Sequence, residues 1–76
     1  MNDVTAIEKL IFKAIESLDE KGKLVYQLHD LQGVAIPEMA LMLKQSEALT
    51  HGELGAARRF IATWVQEKLL QASRNP

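Results

Sequence analysis

Apolar residues recur at steps of three and four along almost the whole chain, and nowhere do they alternate one by one. The first spacing is that of a helix with one buried face, the second that of a strand. The chain is therefore restricted to helices packed on helices, and its punctuation divides it into four. Val4, Ile7, Leu10, Ile11, Ala14, Ile15 and Leu18 make one face of a helix over 4–18. Either Asp3 caps it, or Thr5 with Glu8 forms a capping box. Asp19, Glu20 and Gly22 break the pattern, and Ser17 with Glu20 offers the next box. A second helix over 20–32 follows, with Leu24, Val25, Leu28 and Leu31 as its apolar face. Gly33 stands where a left-handed terminating residue is wanted. Pro37 suits a first helical turn, where its missing amide hydrogen costs nothing. The third helix, over 37–45, carries Met39, Ala40, Met42 and Leu43, and both methionines are expected in the core. The last and longest helix is expected over 50–71, opened by Thr50 and Glu53, with Ser46 and Glu47 as a competing earlier start. Leu54, Ala57, Ile61, Trp64, Val65, Lys68 and Leu69 keep its period, and residues 72–76 are expected to fray.

The fold class expected is all-α, a single domain over 1–76. At 76 residues a chain buries only about 60% of the surface it exposes when unfolded, so its own core is marginal. Residues that are 47% apolar and 25% charged suit a folded protein. The absence of cysteine removes disulfides and thiolate metal sites. His29 and His51 are distant, with no metal-ligand spacing around them. His29 and Asp30 are adjacent, which turns them about 100° apart on a helix and makes no dyad. No phosphate-cradling glycine loop is present. These absences point away from an enzyme, a small-molecule substrate and any cofactor. Asp3 sits where a secretory signal needs positive charge, and Glu8, Lys9 and Lys13 break the following apolar run. No window approaches a membrane span. A cytoplasmic protein is the expectation.

The middle of the chain carries the most information. Leu28, His29 and Asp30 close the second helix, Gly33 follows, and then come Ile36, Pro37, Glu38, Ala40 and Leu43. This segment resembles the C-terminal domain, region four, of bacterial sigma factors of the extracytoplasmic-function type. The resemblance covers about a third of the chain. It implies a helix-turn-helix core in which one helix braces the phosphate backbone and the next lies in the major groove. An ungapped extension puts the recognition helix on Ser46 to Arg59. Leu54, Ala57 and Arg58 fit there. The resemblance thus implies DNA contacts by Ser46, His51 and Arg58, with Arg59 on the backbone. The sequence departs from the family where His51 and Glu53 replace usual basic residues, where Ala56 replaces another, and where Ala35 replaces a capping Ser or Thr. Glu53 would then face phosphate and oppose it. The promoter-melting region of a sigma factor is not among these residues. The expectation is a small transcription regulator that binds DNA or a transcription protein, or a degenerate copy that binds protein alone.

Two features favour the protein-binding alternative. Nine Lys and Arg against ten Asp and Glu give a net charge of −1, where nucleic-acid binders are usually strongly basic. The long last helix also offers Phe60, Trp64 and Leu69, which suit an apolar groove for a partner helix. A sigma-factor antagonist or a small secretion-type chaperone fits that description. A homodimer or a helical protein partner is expected, because the apolar surface of the last helix is wider than one small core can cover.

Overall fold

The computed structural model describes residues 3–74, and the side chains of residues 6–73. Four α-helices follow one another: α1 over Asp3–Glu16, α2 over Glu20–Tyr26, α3 over Ile36–Leu43 and α4 over Glu47–Arg74. No strand occurs among the described residues. The expected all-α class and long last helix are what the chain adopts. At 28 residues, α4 is about 42 Å long at 1.5 Å per residue, and the other helices pack along it.

The helix ends differ from the sequence expectation in instructive ways. α1 stops at Glu16, two residues early, and the Ser17 hydroxyl bonds back to the Lys13 carbonyl at 3.0 Å. Ser17 therefore does not cap α2. Asp19 does: its carboxylate accepts from the Gly22 amide at 2.7 Å. A Cβ at position 22 would lie 2.7 Å from that carboxylate oxygen, so any other residue there would make the Asp19 side chain shift. The cap of α1, expected from Asp3 or Thr5, involves side chains outside those described.

α2 runs directly into a wider π-type turn over Gln27–Leu31, in which the Gln32 amide reaches back five residues to the Gln27 carbonyl. Nothing in the sequence announced this turn. Gly33 then takes φ +76° and ends the helix, as its position predicted. α3 opens at Ile36 with Ala35 as a cap position that has extended backbone but no capping side chain. Glu38 stands three residues on. Ala35→Ser would complete a Ser-Ile-Pro-Glu capping box and is expected to raise stability by about 1 kcal/mol. Urea unfolding would measure it, and an unchanged midpoint would show that this helix end is already satisfied. α3 closes one residue before Lys44, which adopts the left-handed conformation at φ 57°.

α4 begins three residues earlier than Thr50 and Glu53 suggested. Ser46 is the capping residue, its hydroxyl accepting from the Leu49 amide at 3.0 Å. Thr50 lies inside the helix and is fully buried. Its hydroxyl donates to the Ser46 carbonyl at 2.9 Å. Residues 72–74, expected to fray, are helical, and the remainder of that tail lies outside the described residues.

The core has two parts. Ala14 and Ile15 of α1 pack with Ile61 of α4, flanked by Ile11, Leu18, Tyr26, Trp64 and Val65. Val25 on α2, Met39 and Ala40 on α3, and Leu54 and Ala57 on α4 are the other buried apolar side chains. Met42 was expected beside Met39 but is more than half exposed, and its neighbour Leu41 is 81% exposed. α3 is a two-turn helix that packs on α4 and the π turn, so only the side carrying Met39 and Ala40 is covered.

Candidate interaction surface around the α3–α4 turn

α3, the turn Lys44-Gln45-Ser46 and the first half of α4 cover the stretch in which the sequence resemblance implies a helix-turn-helix unit. What its side chains can do is set by a polar network and an ion pair. The Gln45 amide is the centre of the network. Its nitrogen donates to the Thr50 hydroxyl at 2.9 Å and to Glu53 Oε1 at 2.6 Å. Its oxygen accepts from Lys21 Nζ at 2.7 Å. Lys21 completes the circuit with Glu53 Oε2 at 3.2 Å. One amide thus ties α2 to the start of α4 across the turn. Glu53, expected to face phosphate, is folded inward on Lys21 and Gln45 and presents no free charge to a ligand.

Arg58 is also committed within the chain. Its guanidinium grips Asp30 in a two-pronged pair, with Nε at 2.8 Å from Oδ2 and Nη2 on Oδ1. The π turn carries Asp30 to this position. The adjacent His29 points elsewhere, with its ring Nδ1 2.8 Å from the Val34 carbonyl. A carbonyl only accepts, so Nδ1 carries the hydrogen. The Arg58 hydrogen bonds hold the Asp30 carboxyl below its ordinary pKa, against a smaller opposing effect of burial. Asp30 raises the Arg58 pKa in return.

The sign of the pH dependence follows. A carboxyl with a depressed folded pKa stabilises the fold above its unfolded pKa, and that stability is lost as pH falls through the folded value. Wild type is therefore expected to exceed Asp30→Asn in stability at neutral pH, and the gap should close in acid. Urea midpoints across a pH series would show it. A gap that is the same at every pH would mean that the pair contributes nothing through charge.

The other expected DNA contacts are placed as follows. Ser46 is exposed and its hydroxyl caps α4. His51 and Arg59 are exposed on α4. Arg59 lies back over the helix, its Nη1 3.4 Å from where a Gly55 Cβ would sit. The first turn of α4 carries Glu47, whose charge competes with any phosphate drawn to the helix N-terminus. Around the turn, Leu41, Met42 and Leu49 are exposed apolar side chains, beside the exposed Lys44 and Glu47.

The three residues expected to share a partner groove are divided between two flanks. Steps of 100° per residue put Phe60 and Leu69 on opposite sides of α4, and Trp64 about 140° from Leu69. Phe60 lines a recess of about 390 Å³ with Leu18, Ala56 and Ala57. Trp64 packs against the α1–α4 core, and Lys68 Nζ lies 5.1 Å from its ring centre. Leu69 is on the other flank. No groove holds all three.

Among the described residues there is no cluster of side chains suited to a metal ion, and no described helix is long and apolar enough to cross a membrane. No protein family, curated protein or solved structure matches the chain.

Proposed function

We propose that the chain is a helix-turn-helix-type transcription regulator that engages a protein of the transcription machinery and does not read DNA. The transcription context rests on the sequence resemblance over residues 28–43. The choice of protein over DNA rests on one observation: the Arg58 fork that would meet phosphate is occupied by Asp30. Specific and non-specific DNA binding both draw their strength from neutralised phosphates. Over residues 46–59 that leaves Arg59 as the one unpaired arginine, against Glu47 in the same segment. Leu41, Met42 and Leu49 are the exposed apolar side chains bordering the turn, and such side chains gain free energy by covering one another.

The test is a titration of labelled protein with purified bacterial RNA polymerase, with and without a sigma factor. Saturable binding that is insensitive to added DNA and lost in Leu41→Glu is expected. Failure to bind polymerase or sigma factor in either arm would overturn the proposal.

A further inference from the structure

The molecule exposes more surface than its size requires. A folded monomer of 8.5 kDa is expected to expose about 4,700 Å², and this chain exposes 5386 Å². Its radius of gyration is 14.4 Å, against about 11 Å for a compact chain of this length. Part of the exposed apolar surface lies along the arm in which α1 runs beside the second half of α4. Ile7, in the middle of the α1 stripe, is 40% exposed, and Leu69 on α4 is 46% exposed. Along this flank of α4, beside Ile11 of α1 and Tyr26 of α2, runs an open groove of about 380 Å³, lined on α4 by Ile61, Ala62, Val65 and Leu69. Arg58, Ala62, Val65 and Leu69 follow one another at steps of four, three and four, the heptad spacing that asks for a facing helix.

We infer that this arm pairs with the arm of a second copy to form a four-helix bundle. Two observations select a second copy over a different chain. The ionised groups lining the groove are Asp30 and Arg58, which neutralise each other. Two copies therefore meet without like-charge repulsion, and a charged partner finds nothing complementary. The row is also self-complementary: an antiparallel copy with its two-fold axis between Val65 and Gln66 sets the large Leu69 against the small Ala62, twice. Two antiparallel helices from each copy then complete a bundle of four. This inference concerns a different surface from that around the α3–α4 turn and does not depend on the function proposed above.

Sedimentation equilibrium of the full chain tests it. Wild type is expected to sediment at twice 8.5 kDa at micromolar concentration. Leu69→Glu should raise the dissociation constant by about 30-fold or more, the hot-spot scale, with helical circular dichroism unchanged. Leu41→Glu, away from the arm, should remain dimeric. Gln66 is exposed beside the proposed axis, so a change there keeps the inference testable if Leu69→Glu fails to fold. Gln66→Glu and Gln66→Lys should each weaken the dimer alone, and an equimolar mixture of the two should restore it. A wild type that is monomeric at millimolar concentration would overturn the inference. So would Gln66 variants whose association matches wild type, or a Leu41→Glu variant that dissociates as readily as Leu69→Glu. These readouts are masses, so they are distinguishable from a failure to bind polymerase.

Discussion

Met39→Ala is expected to lose about 3 kcal/mol of stability, within the range for truncating a fully buried methionine. Met39 is 0% exposed and is the largest fully buried side chain among the described residues. It sits on α3, which has only eight residues and too few turns to hold together without packing. A domain of this length has roughly 4–11 kcal/mol in total, so the loss is a large share. The corresponding fall in melting temperature is about 12–24 °C, at 4–8 °C per kcal/mol. A thermal melt followed by circular dichroism measures it. A fall of only a degree or two would mean that α3 is held by something other than this side chain.

Gln45→Ala should cost about 2 kcal/mol, although Gln45 lies in a turn and is only partly buried. Its amide makes three hydrogen bonds, with Lys21, Thr50 and Glu53. Such bonds contribute about 0.5–1.5 kcal/mol each, and part is kept because Thr50 still donates to the Ser46 carbonyl and Lys21 still pairs with Glu53. The effect should be local as well as global. Hydrogen exchange in the first turns of α4 should accelerate more than exchange in α1, because the network joins α2 to the beginning of α4. Equal acceleration throughout would assign Gln45 a general packing role.

The helices were legible because the apolar period of 3.6 is a local property of each segment. Their ends were less so, because several residues satisfy the same capping rule. Thr50 with Glu53 has the spacing of a capping box, yet Thr50 is buried inside α4 and Ser46 caps it. What separates the two starts is tertiary: Thr50 completes a core that a cap position would leave open. Gly33 was legible because a positive φ has few occupants other than glycine. The π turn was not, since no residue type announces it, and its consequence was hidden with it. Asp30 and Arg58 are 28 positions apart, and no pattern in the sequence joins them. The same holds for Glu53, whose inward turn depends on Lys21 from another helix. Phe60, Trp64 and Leu69 were each recognisable as apolar positions on one helix. Their separation follows from the 100° step along the helix; which of them faces α1 appeared only once α1 lay along α4.

Whether the surface around the α3–α4 turn addresses protein or DNA is decided most directly by fluorescence anisotropy of the wild-type chain on mixed-sequence DNA duplexes at two salt concentrations. With Arg58 held by Asp30 and Glu53 by Lys21, no salt-sensitive binding is expected even at low ionic strength. Binding that weakens with salt at a slope of two or more phosphate contacts, and that falls in Arg58→Ala with Arg59→Ala, would contradict the proposed protein-directed function.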